Sequence, residues 1–215
     1  MTEQINKTPG NHLATIAHLV SDLFSPLLMP VYGMLVALWL TPMHILPLGN
    51  RLSALLGVAF ITTVIPFVYI LIMIRLGRIS DTSISDRRQR TLPYCVTILC
   101  YIAAAIFLLT LKAPRWMCFF FVGAALVTLI SMLITRSWKI SAHTGGAGAL
   151  AALVFWLAMR GYLTICPLAV LSAAVAIVGI MAWARLYLDR HTLAQTAAGA
   201  ALSFCVETAV LLLCV

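Results

Sequence analysis

Seven long apolar stretches, separated by short polar loops, take up most of this 215-residue chain and leave room for one kind of fold. They run roughly over Leu27–Leu40, Leu52–Ile74, Tyr94–Leu111, Trp116–Ile134, Ile140–Met159, Pro167–Trp183 and Leu193–Val215. A helix needs about 20 residues to cross ~30 Å of hydrocarbon, and most of these stretches reach that length with their flanks. With 63% hydrophobic residues, 9% charged residues and a mean hydropathy of +1.06, a soluble domain is excluded. The expectation is an all-α, polytopic membrane bundle of six to seven transmembrane helices. A polar tail over residues 1–18 precedes one transmembrane domain over 19–215. No internal repeat and no cleavable signal is read in the sequence.

The first stretch has a character of its own. Pro26 and Pro30 interrupt it, while Pro42 and Pro47 close it. Proline removes a helical hydrogen bond and clashes with the preceding turn, so a break is expected near its start. A short crossing helix preceded by an interfacial helix at His12–Ser25 would satisfy this pattern.

Charge is concentrated where chemistry would need it. The chain carries 14 Lys/Arg against 6 Asp/Glu, and three basic clusters stand out. These are Asp86–Pro93 with Arg87, Arg88 and Arg90, then Trp138–His143 with Lys139, then Ala184–Gln195 with Arg185 and Arg190. Two crossings separate each cluster from the next, so all three meet at one membrane face whatever the first stretch does. Charges confined to short loops point to anionic lipid or a phosphorylated ligand as partner and away from nucleic acid. Arginine offers phosphate a planar fork of donors, and histidine can attack phosphorus or move a proton near neutral pH. The clusters hold His143 and His191, each at the mouth of an apolar stretch. The six cysteines show no C-x-x-C spacing and read as packing residues, and neither a metal nor a cofactor site is expected.

These clusters resemble the three motifs of the type 2 phosphatidic acid phosphatase superfamily, K-x6-R-P, P-S-G-H and S-R-x5-H-x3-D, over roughly Asp86 to Gln195. The third motif matches at Arg185 and His191. In the second, Ser141 and His143 match, while Ile140 and Ala142 replace Pro and Gly. The first is approximate: Pro93 is present, Leu92 stands where its Arg would be, and no lysine lies at the expected distance upstream. Gln195 occupies the place of the aspartate that orients the nucleophilic histidine.

The resemblance implies a phosphatidic acid phosphatase-like fold and a metal-independent lipid phosphatase or diphosphatase working through a phosphohistidine. His191 would be the nucleophile, His143 the general acid and Gln195 the partner of His191. Arg185 and Ser141 would hold phosphate by motif match, with Arg87, Arg90 and Lys139 offered by position. The partners would be a lipid phosphate substrate and membrane lipids. The setting would be a bacterial inner membrane with the site facing outward, toward the periplasm. Asp86 or Asp189 could replace the missing negative charge. Two alternatives use the same fold: a phospholipid- or anion-binding or transport protein with weakened catalysis, and a lipid phosphotransferase. Glu207, inside the last apolar stretch, is expensive unless neutral or paired and is left outside the site. His18 and Asp22, four residues apart, read as an interfacial hydrogen-bonded pair, with a cap over the site as the alternative.

Overall fold

The computed structural model describes residues 12–81, 84 and 86–214, and among these it is helical, with no strand. The first eleven residues of the expected tail, with Lys7, lie outside the described residues. Helix α1 begins at His12 and runs to Leu23, so residues 12–18 of that tail are helical. A short turn containing Pro26 then leads into α2 (Met29–Trp39), with Pro30 in its first turn. Proline is tolerated there because the first N–H groups of a helix have no intrahelical partner.

Among the described residues six helices are long and apolar enough to cross a membrane. The first is a 28-residue run, Leu48–Arg75, made of α3 (Leu48–Ala59), a π-helical turn at Phe60–Val64 and α4 (Ile65–Arg75). The wide turn falls immediately before Pro66, whose missing N–H and bulky ring a regular α-helical turn accommodates poorly. The others are α5 (Thr91–Thr110), α6 (Arg115–Thr135), α7 (Ala142–Met159), α8 (Pro167–Tyr187) and α9 (Leu193–Leu212). The expected stretch Leu27–Leu40 is not a seventh. At 11 residues α2 is ~16 Å long, about half the hydrocarbon thickness.

Helix order puts the loops after α4, α6 and α8 at one end of the bundle, here the site end, and gathers the basic clusters there. The opposite, far end is closed by aromatics: Trp116, Trp156 and Tyr162 pack with ring centroids 5.7–6.4 Å apart. Arg51 lies over Trp39 and Arg160 over Trp156, at 5.1 and 5.7 Å. Amphipathic rings with cationic neighbours suit the water–lipid boundary. The Leu40 carbonyl accepts from the Thr164 N–H at 2.9 Å, which ties the end of α2 to this end.

Helix α7 is the axle of the bundle. Its run Thr144–Leu157 is buried almost without interruption, and it packs on α2, α8 and α9. Small residues make the α7–α9 contact possible. A Cβ on Gly199 would lie 2.5 Å from the Ser141 carbonyl oxygen and 2.8 Å from Thr144 Oγ1, and one on Gly148 would lie 2.5 Å from the Ala200 carbonyl oxygen. Helices can approach this closely only where side chains are missing, since lipid tails supply no hydrophobic drive to press helices together. Thr144 Oγ1 uses the proximity to donate to the Thr196 carbonyl at 2.8 Å.

The contact is testable by filling it. Gly199→Val and Gly148→Val are expected to lower the melting temperature of the detergent-solubilised protein, by an overpacking cost of ~1–3 kcal/mol each. Gly179→Val, where a Cβ meets open space, should leave it unchanged within ~1 °C. Thermal unfolding followed by tryptophan fluorescence compares the three.

Candidate functional site

Hydrogen bonds between loops draw the three basic clusters together. Arg90 Nε donates to the Ile84 carbonyl at 2.8 Å and Arg90 Nη1 to the Ile140 carbonyl at 3.3 Å. Arg87 Nη1 donates to the Ser137 carbonyl. These bonds join the first cluster to the second. The Ser141 N–H donates to the Gln195 carbonyl at 3.3 Å, joining the second to the third.

Inside this frame lies a cavity of about 540 Å³, and His143, His191 and Arg90 all line it. His143 sits in the first turn of α7, which begins at Ala142 rather than at Ile140 as the apolar pattern implies. His191 lies in the turn between α8 and α9 and is 7% exposed. Arg185, in the last turn of α8, is 4% exposed, and its Nε has no hydrogen-bond partner among the described residues. Arg185, Arg90 and His191 all lie within electrostatic reach of His143. Arg185 itself does not line the cavity, so its guanidinium, with Nε unpartnered, adds to the positive field behind the wall that Arg90, His143 and His191 form.

The α9 cap fixes the chemistry of His191. Thr192 and Gln195 form a reciprocal capping box: the Thr192 hydroxyl accepts from the Gln195 N–H at 3.4 Å, and Gln195 Oε1 accepts from the Thr192 N–H at 3.2 Å. The same Oε1 is 3.0 Å from His191 Nδ1. A backbone N–H can only donate, so the side-chain atom facing it must be the amide oxygen. Nδ1 must then be the protonated ring nitrogen. In the neutral ring that leaves Nε2 with a free lone pair, as a nucleophile requires.

Burial pushes the His191 pKa down from its ordinary value to about 4. The Gln195 hydrogen bond works against this shift, while Arg185, Arg90 and Lys139 add to it. Lys139 is lowered as well, first by burial and then by Arg90, Arg185 and Arg190, with Asp81 opposing. The site therefore holds a concentration of positive charge that an arriving anion would relieve.

Other expected residues are placed differently. Ser141 is 1% exposed and its hydroxyl caps α7, accepting from the Thr144 N–H at 3.4 Å. Arg87 lines a hollow of about 270 Å³ with Arg88, Arg90, Tyr94 and Arg136, and the main cavity shares Arg90 and Tyr94 with it. Neither proposed substitute carboxylate lines the cavity. Asp86 caps the turn at Arg87–Gln89, and Asp189 sits at φ 52° in the turn after α8. Asp22 lines the cavity. Ser21, Tyr94 and Ser203 line it too and were not picked out by sequence reasoning. The signal for Ser203 was present: Thr196, Gly199, Ser203 and Glu207 recur at helical spacing and form the buried face of α9. Among the described residues no three His, Cys, Asp or Glu side chains converge as metal ligands would.

Comparison with known proteins finds no matching family model, no matching curated protein and no matching solved structure.

The capping box makes a prediction about protonation. ¹⁵N NMR of histidine-labelled protein should find His191 neutral at pH 6 with its proton on Nδ1, and Gln195→Asp should raise its pKa above about 4. Stability follows with a defined sign. Between about pH 6.5 and about 4 the unfolded chain binds a proton at His191 that the folded chain refuses. Acidification through this window should lower the melting temperature, and His191→Ala should blunt the drop.

Proposed function

We propose that this chain is a metal-independent lipid phosphatase that works through a phosphohistidine at His191. The observation that carries the reading is a pair of histidines and Arg90 on one cavity, with Nε2 of His191 left free by its bond to Gln195. On this reading His191 Nε2 attacks phosphorus, the P–O bond to the lipid breaks, and His143 gives its proton to the departing oxygen. Water then attacks the phosphohistidine, His143 takes a proton from that water, and inorganic phosphate leaves. Arg90 stabilises the equatorial oxygens, with the positive charge of Arg185 behind it, the work a metal does in other phosphoryl transfers.

The resemblance to the type 2 phosphatidic acid phosphatase superfamily belongs to the same proposal, as do its fold, a bacterial inner membrane setting and an outward-facing site. Arg87 and Lys139 contribute to the positive field, and Ser141 acts by holding the start of α7. Gln195 favours one further reading: it fixes the His191 tautomer but brings no negative charge to a phosphorylated ring. A protein that binds a lipid phosphate and turns it over slowly is the outcome that follows if this missing charge governs the rate.

The test is to trap the intermediate. Purified protein mixed with ³²P-labelled lipid phosphate and quenched in alkali should carry acid-labile label on His191. His191→Ala should carry none and release phosphate at under a tenth of the parent rate. Stable binding without label would favour the slow binder.

Sidedness has its own check. In a cysteine-free background, Arg136→Cys at the site end should react with a membrane-impermeant reagent in intact cells. Arg115→Cys at the far end should not, and the reverse pattern overturns the outward placement.

A further inference from the structure

The second hollow at the site end lies between the start of α5 and the end of α6, and its lining differs from that of the histidine cavity. Four of the eight residues around it are arginines, Arg87, Arg88, Arg90 and Arg136, and none is a carboxylate or a histidine. At about 270 Å³ it falls just below the roughly 300–1,000 Å³ of sites that enclose a whole small molecule, so it suits one headgroup or ion.

Two of the arginines brace the loops. Arg90 bonds the carbonyls of Ile84 and Ile140, and Arg87 bonds that of Ser137. Arg88 and Arg136 have no such task. Both are exposed, and neither side chain finds a hydrogen-bond partner among the described residues. Asp86, the nearest carboxylate in sequence, spends an oxygen on the Arg88 backbone N–H as the cap of its turn. Four guanidinium groups around one space repel one another, and nothing on the wall offsets that repulsion. An anion between them would, and the planar fork of arginine matches the oxygens of a phosphate group.

The surroundings fix the depth. Both α5 and α6 are long enough to span, and the hollow is lined by the first turn of one and the last turn of the other. One turn further along α5, Cys95 Sγ lies 3.7 Å from Met132 Sδ and closes the seam between the helices. The surface of α6 on either side of Met132 is apolar and open, with Leu129 and Leu133 39% and 50% exposed. The hollow therefore sits at headgroup level, with apolar surface beside it for acyl chains.

We infer that this hollow is a second anion site, separate from the histidine cavity, which takes a phosphate group carried either as the phosphodiester of a membrane lipid or as a free phosphate ion. Arg88 and Arg136 supply its open donors, and Arg87 and Arg90 its fixed charge. The site asks nothing of His191, so it stands whether or not the phosphatase reading does.

The experiment has two arms, one for each source of phosphate. Delipidated protein in a non-ionic detergent is titrated with dioleoyl phosphatidylglycerol, whose phosphodiester is no substrate for a monoesterase, and bound lipid is counted by native mass spectrometry against dioleoyl phosphatidylcholine. In the other arm inorganic phosphate is titrated calorimetrically into the same protein. Arg88→Gln combined with Arg136→Gln should weaken binding by about tenfold, as expected for removing two guanidinium charges from an anion contact. Arg88→Lys combined with Arg136→Lys keeps the charges and should recover part of the loss, which separates lost charge from lost fold. Arg75→Gln combined with Arg78→Gln removes the same charge from exposed positions at the same end and should change neither arm. A loss confined to phosphatidylglycerol identifies a lipid headgroup, a loss confined to inorganic phosphate identifies the free ion, and a loss in both identifies a site open to either. No binding in either arm, binding that survives the Arg88 and Arg136 substitutions, or an equal loss from the Arg75 and Arg78 pair overturns the site.

Discussion

The arrangement of this protein depends on how closely α7 and α9 can approach. Where Gly148 meets Ala200 and Gly199 meets Ser141 and Thr144, backbone packs against backbone, and there is no room for even one added methyl group. This is the form helix association takes in lipid, where packing and interhelical hydrogen bonds replace the hydrophobic effect as the source of attraction. Both histidines inherit their positions from it: His143 stands in the first turn of α7, and His191 immediately precedes the cap of α9. A small displacement of one helix would separate them, and phosphoryl transfer depends steeply on position.

The second organising element is the stitching of loops at the site end. Arg87 and Arg90 spend donors on carbonyls of the 137–140 segment, so these arginines hold the frame as well as the field. Arg185 differs from them, being buried with a donor left over. Positive charge packed this densely with no carboxylate at Gln195 is tolerable because His191 stays neutral. The same economy explains why a glutamine can serve there: it completes a helix cap and orients a ring in one contact, without introducing a charge that burial would penalise.

Much of this was legible in the residues. Apolar length and loop order foretold six of the helices, and the even spacing of crossings foretold that the basic clusters share an end. Proline at 26 and 30 foretold the break between α1 and α2. The missing knowledge was of two kinds. Periodicity cannot tell how long a proline-bounded stretch remains helical, so the stretch at Leu27–Leu40 was longer on paper than α2 is in space. Nor can a linear reading tell which hydroxyls spend their proton on their own helix. Thr97 and Ser203 look alike in sequence, and only the packed bundle separates a satisfied group from an orphan.

Glu207 plays no part in the proposed chemistry, yet it is wholly buried, and its carboxyl fills the notch left by Gly123 on α6. Neither oxygen finds a hydrogen-bond partner among the described residues. Sliding α9 by one turn along α6 would drive that carboxyl out of its notch and against ordinary side chains. The pair thus works as a pawl in a ratchet: it contributes little attraction, but it forbids the neighbouring registers and leaves the two helices a single tooth on which to rest.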